Sequence, residues 1–275
     1  MKTTKKTAEE VKPPAEHEEE KLEVEKDIIT EIPEEEAATR LERKFDMLAW
    51  QPKTSIGKKV KSGEIKSVSQ ILDEGQKIME MEIVDALLPG MNQELLFIGQ
   101  SKGKFGGGQK RIFRQTQQKT PEGNKPSFSC QSVIGNEDGY VGVGYGKSKD
   151  TVPAREKSQR NAKLNIFKIK RGCGSWECGC KTPHSIPFMV EGKCGSTRIK
   201  IMPAPKGKGL CIEQECAKIL KLAGIKDVWS KTFGQTRVKT NLVTACVQAL
   251  KKLSTTKTKP EHEELLGIKE GKLHQ

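Results

Sequence analysis

Apolar positions change period several times along the chain. Val68 to Leu72 and Ile78 to Leu88 have helical spacing, and Pro89-Gly90 stops the second. A strand is predicted near Leu95 to Gly99. Phe128 to Gly135 and Tyr140 to Gly146 are β-prone runs around Asn136-Glu-Asp-Gly139, an Asp-Gly hairpin signal. Lys149 to Asn165 predicts a helix that runs into a strand over Ile166 to Ile169. Further on, Ile186 to Val190, Thr197 to Met202 and Lys226 to Ser230 read as strands. Gln214 to Leu222 reads as a helix stopped by Gly224, and Val238 to Leu253 as a helix with Leu242, Cys246, Ala249, Leu250 and Leu253 on one face. The intervening stretches are expected to be irregular: an extended basic lead-in over Trp50 to Val60, a mobile basic loop over Gln100 to Thr120, a Gly/Cys linker over Arg171 to His184, and a polar tail from Ser254 to Gln275. No internal repeat is visible. The pattern predicts an α+β fold with two domains in series.

Charge sharpens this picture. The chain carries a net +13, yet Met1 to Glu36 holds 6 Lys against 13 acids, so the remainder carries +20. A compact body that basic repels itself unless a polyanion lies against it, and nucleic acid is the expected one. An anionic membrane surface is the competing partner. No apolar run of spanning length and no signal peptide is seen, so a soluble cytoplasmic protein with no membrane partner is expected. Aromatic residues make up only 5%, which argues against a row of stacking rings as the first guess. Trp50, Trp176 and Trp229 read as separate packing or docking anchors.

Between Arg160 and Lys208 there are 11 Lys or Arg and two acids. The candidate phosphate contacts here are Arg160, Lys163, Lys168, Lys170, Arg171, Lys181, Lys206 and Lys208, joined by Lys147 and Lys149 beside the start of the predicted helix. The bland alternative is a solvated charged face, which such an imbalance of sign does not fit. Lys206 and Lys208 stand in Pro203-Ala-Pro-Lys-Gly-Lys-Gly209, a rigid-then-flexible loop. Gly142, Gly144 and Gly146 before Lys147-Ser148 resemble a phosphate-cradling loop, but the spacing is one residue short and the context is a hairpin. These glycines are expected to admit RNA backbone or a neighbouring strand.

Eight cysteines without a secretion signal read as thiols or metal ligands. Cys173, Cys178, Cys180 and His184 form C-x4-C-x-C-x3-H, which could close a tetrahedral zinc site, with Cys194 a substitute ligand. The alternative is a set of reduced cysteines in a glycine-rich linker. Cys211, Cys216 and Cys246 are expected to be small core residues.

Several ordered blocks then resemble one family. They include Glu82-Ile-Val-Asp-Ala-Leu-Leu-Pro89, Gly135-Asn-Glu-Asp-Gly-Tyr-Val-Gly-Val-Gly144, Arg171-Gly-Cys-Gly-Ser-Trp-Glu-Cys-Gly-Cys180, the Pro203 to Gly209 loop, Ala223-Gly-Ile-Lys-Asp-Val-Trp229 and Gly234-Gln-Thr-Arg237. Together they are similar to the fifth small-subunit ribosomal protein family in its archaeal form. The resemblance implies a double-stranded-RNA-binding-like domain followed by a C-terminal α+β domain of the ribosomal protein domain-2-like kind. It also implies binding to small-subunit ribosomal RNA, with Arg237 added to the contacts, and contact with the fourth small-subunit protein. A place near the messenger RNA entrance and a part in translational accuracy, without chemistry, complete the implied role. The expected divisions are an acidic disordered arm at 1–45, a basic lead-in with helices at 46–93, the RNA-binding-like domain at 94–171, the linker at 172–184, the C-terminal domain at 185–253 and the tail at 254–275. One departure stands out: a Gly-Arg-Arg-x-Arg-like run is replaced by Asn124-Lys-Pro-Ser127, and the basic stretch 100–113 reads as an insertion that supplies the missing charge.

Two other classes compete. A free, extraribosomal double-stranded-RNA-binding module explains the charge and the hairpin but not the C-terminal blocks. A zinc hydrolase needs an open metal position and a general base, and Glu177 is the only acid within the cysteine cluster. An enzyme is therefore not expected.

Overall fold

A computed structural model describes residue 47 and residues 50–101 and 110–271. The acidic arm and the Gly106-Gly107-Gly108 segment lie outside the described residues. Among the described residues three short helices come first: α1 (Ser55–Lys61), α2 (Val68–Asp73) and α3 (Met81–Leu87). The expected extended lead-in is thus corrected. Thr54 caps α1 by accepting the Gly57 N–H, and Glu80 accepts the Lys53 N–H at 2.8 Å, closing the segment on itself.

The first sheet contains β1 (Asn92–Leu95), β2 (Arg114–Thr120), β3 (Gly123–Gly135), β4 (Tyr140–Ser148) and β5 (Ile166–Lys168). Its order is β1-β3-β4-β5, with β2 paired antiparallel to the first half of β3. The Gln100–Thr120 stretch read as a loop therefore ends in a strand. Seven residues of β2 pair with β3 to make a ribbon exposed along nearly its whole length. No apolar alternation marks it, which is why periodicity missed it. The hairpin at Asn136–Gly139 is as expected: the Asn136 side chain accepts N–H groups from Asp138 and Tyr140, and Gly139 takes φ +91°.

Helix α4 (Thr151–Leu164) lies across β3 and β4. A Cβ on Gly142, Gly144 or Gly146 would sit 2.2 Å from backbone atoms of α4. The alternate glycines admit this helix, not RNA and not a strand, and that expectation is corrected.

The second sheet has order β7-β8-β10-β9, from β7 (Val190–Cys194), β8 (Thr197–Pro203), β9 (Leu210–Cys211) and β10 (Val228–Phe233). The strand predicted over Ile186 to Val190 begins only at Val190. Helices α5 (Gln214–Leu222) and α6 (Lys239–Thr255) cover one face, and Ala245 of α6 rests against Gly192. A single apolar cluster runs from Leu96, Val133, Val141 and Ile169 through α5 to Ile199, Ile201, Val243 and Leu250. Helix α5 stands between the two sheets, its Leu222 carbonyl accepting the Glu137 N–H at 2.9 Å.

The polar tail contains two elements among its described residues. Helix α7 (Pro260–Leu266) and β11 (Lys269–Glu270) fold back, and β11 pairs antiparallel with β6 (Lys170–Arg171).

Candidate functional site: a cysteine–histidine cluster beside a basic surface

The segment read as a Gly/Cys linker is anchored at both ends. Cys173, Ser175 and His184 are buried, the Cys173 N–H donates to the Leu266 carbonyl at 2.8 Å, and Gly172 exchanges hydrogen bonds with Ser185. These bonds bend the chain back on itself, so side chains eleven residues apart meet.

The three thiols and the imidazole place one ligand atom each within 4.8 Å of one another. Cys173 and Cys180 Sγ are 3.6 Å apart, and Cys178 Sγ lies 3.9 Å from His184 Nε2. A tetrahedron with Zn–S bonds of about 2.3 Å has edges of about 3.7 Å, so the donor set fits a tetrahedral ion. Cys194 does not join them; it sits in β7 against the core. Cys211 is exposed, not core, whereas Cys216 and Cys246 are buried as expected. Of the tryptophans, Trp50 is buried but Trp176 is 88% exposed, so it packs nothing within the chain.

The buried Asp227 side chain was not singled out from the sequence. Its Oδ2 lies 2.8 Å from His184 Nδ1, and its Oδ1 accepts the Gly209 N–H at 2.8 Å. With Nδ1 donating to the carboxylate, Nε2 keeps its lone pair toward Cys178, the arrangement a metal-ligating histidine needs. The same carboxylate thereby connects the cluster to the Lys206–Lys208 loop across a hollow lined by Thr182, His184, Lys206, Gly209 and Asp227. The one available signal was the acid at the entry to an apolar strand in Lys226-Asp-Val.

The thiols differ. Hydrogen bonds from Thr182 hold the Cys180 thiol down at about 6, while burial pushes Cys173 up to about 11. One thiolate at neutral pH gives an incoming cation a first ligand, and the cation's charge then favours deprotonation of the others.

The candidate phosphate contacts separate into two groups. Lys147, Lys149, Arg160, Lys181, Lys206, Lys208 and Arg237 are exposed. Lys206 and Lys208 stand out on a turn in which Gly207 has φ +89°. Lys163 instead pairs with Asp85 at 2.6 Å, Lys168 with Asp73 and Glu270, and Lys170 donates to the Thr256 carbonyl at 3.1 Å. Arg171 is a correction. It is 2% exposed, pairs with Asp138 at 2.8 Å and donates to the Gly271 carbonyl, so it cannot reach a phosphate. Sequence alone cannot distinguish a cation facing RNA from one facing an acid 33 residues away.

Among the described residues no helix is long and apolar enough to cross a membrane. The family description "Ribosomal protein S5, N-terminal domain" matches residues 112–170, and "Ribosomal protein S5, C-terminal domain" matches residues 192–263. The chain is 49% identical over 224 residues to "Small ribosomal subunit protein uS5" of Nanoarchaeum equitans, covering 82% of this chain and 96% of that protein. It is 47% identical over 230 residues to the protein of the same name from Methanocaldococcus jannaschii, covering 84% and 99%. A third, from Thermofilum pendens, is 47% identical over 203 residues, 74% of this chain and 93% of that one. The S5 family is structural and non-enzymatic, and with matches along most of its length this chain belongs to the ribosomal protein S5 family.

Proposed function

We propose that the chain is a structural constituent of the small ribosomal subunit that holds ribosomal RNA through its exposed cations. The observation that carries this reading is the match to proteins named for the small subunit over 96 to 99% of their length. Lys147, Lys149 and Arg160 on the first sheet and its helix, and Lys181, Lys206, Lys208 and Arg237 further on, supply separate phosphate contacts. The sharing of one apolar core by both sheets makes them a rigid spacer that fixes the distance between the RNA elements they bind. Contact with the fourth small-subunit protein and support of accuracy near the messenger RNA entrance are the finer parts of the role, supported by the family resemblance.

Zinc on Cys173, Cys178, Cys180 and His184 is the second part of the proposal, supported by the donor spacing and by Asp227 behind His184. All four positions are filled by protein, which suits a structural ion and leaves no open position for chemistry. The chain purified under reducing, chelator-free conditions is expected to contain one zinc per molecule; elemental analysis finding none overturns this part. For the main reading, the tagged chain is expected to sediment with small subunits in a salt gradient. A predominantly free pool bound to duplex RNA supports the extraribosomal alternative.

A further inference from the structure

The outer face of the second sheet is open, and its side chains alternate in a way that the core does not require. Along β8, Thr197, Ile199 and Ile201 are buried, while Arg198, Lys200 and Met202 point the other way. Along β10, Trp229, Lys231 and Phe233 share that outer face. The register sets Lys231 beside Lys200 and Phe233 beside Arg198, and β7 adds Lys193 opposite Arg198. One acid, Glu191, accompanies these four cations.

Phe233 is 41% exposed and has two ammonium groups, Lys200 and Lys231, each 5.8 Å from its ring centre. Beside it a hollow of about 480 Å³ is lined by Glu191, Ser196, Arg198, Lys200, Phe233 and Gly234. The backbone that follows the ring is held in place from behind. Gly234 follows with φ +82°, and a Cβ there would lie 2.0 Å from the Ser196 carbonyl. The Thr197 hydroxyl donates to the Gln235 carbonyl at 3.1 Å. A large apolar ring at a strand end, 41% exposed, leaves part of its surface in water and open to a partner.

We propose that this face is a second RNA site, distinct from the loops above, that takes unpaired nucleotides: a base stacks on Phe233 while Arg198, Lys200 and Lys231 receive the flanking phosphates. Ring plus cations is the chemistry of single-strand recognition, whereas a duplex buries its base faces and offers only phosphates and sugars. The surplus of positive charge on the face favours RNA over an apolar protein partner. The inference rests on the RNA-binding reading above.

The test uses the full chain, a 12-nucleotide oligoadenylate and a 16-base-pair RNA duplex, with binding read by fluorescence anisotropy. Phe233→Leu is expected to weaken oligoadenylate binding about tenfold, the range of one lost stacking contact. Duplex binding should stay unchanged, and Phe233→Trp should restore the single-strand affinity. Lys200→Gln with Lys231→Gln should reduce the salt slope for the single strand by about 1.4. Unchanged oligoadenylate binding by both variants overturns the proposal but leaves RNA binding elsewhere intact; a wild-type chain that binds neither RNA removes both. A photoreactive side chain at position 233 should crosslink to RNA in the assembled small subunit, and crosslinking to protein alone overturns the assignment.

Discussion

The two sheets seat their helices by different means. In the first, Gly142, Gly144 and Gly146 let α4 lie backbone against backbone, and the helix contributes Ala154, Ser158 and Ala162 to the contact. In the second, Ile199, Ile201 and Val228 meet Leu242, Val243, Leu250 and Leu253, with Gly192 the single close approach. The first contact depends on shape and has little apolar area to lose; the second depends on area and tolerates small changes of shape. A sheet of the first kind leaves the first half of β3 free to extend into the polar β2–β3 ribbon, since α4 packs on β4 and on the second half of β3 around Cys130.

The largest effect should come from breaking the shape-dependent contact. Gly144→Val puts a branched side chain where a Cβ alone would lie 2.2 Å from the Ala162 nitrogen and the Ser158 carbonyl oxygen. Urea unfolding should show a loss of about 3 kcal/mol or more. Ile199→Val, in the area-dependent contact, should cost only about 1 kcal/mol. Similar losses for the two would abolish the distinction.

The junction between the regions comes next. Arg171→Met leaves the Gly271 carbonyl without its buried donor and removes the ion pair to Asp138, and should cost about 2 to 3 kcal/mol by the same assay. Cleavage by protease should first appear near β11, because that strand pairs with the one carrying Arg171.

Removing metal should act locally. With zinc chelated, alkylation at pH 7 should reach Cys180, whose thiol lies at about 6, well before Cys173, at about 11. The Cys180 rate should fall as pH drops through about 6, since the thiolate is the nucleophile, and zinc should protect both. Asp227→Asn should leave the four ligands in place yet speed hydrogen exchange at the Gly209 amide, which loses its carboxylate acceptor. Exchange unchanged there would show that the cluster and the lysine loop are independent.

The smallest change is Lys206→Ala with Lys208→Ala. Folding stability should be unaffected, while the slope of log affinity against log salt for ribosomal RNA should fall by about 1.5 to 2.

Elements with strong apolar periodicity were legible in the sequence. Helices α4, α5 and α6 and the Asn136–Gly139 hairpin lie where their spacing and turn residues put them. Strand β2 and the elements of the tail were missed for one cause: information carried by distant partners. Strand β2 has no apolar face and exists by pairing with β3; α7 and β11 are polar and are held by β6 and the Cys173 segment. The meeting of Cys173, Cys178, Cys180 and His184 was legible from residue type and spacing, because the chain returns on itself within twelve residues. Asp227 was not, because it comes from the far side of the second sheet's first helix, 43 residues beyond His184.

Exposed cations of this rigid body are expected to lie against ribosomal RNA in the small subunit. Crosslinking with mass spectrometry on purified small subunits tests this most directly. RNA-linked peptides containing Lys147 or Lys149 and Lys206 or Lys208 are expected, and none containing Arg171. Recovery of the chain from those particles with RNA attached at none of these lysines would contradict it.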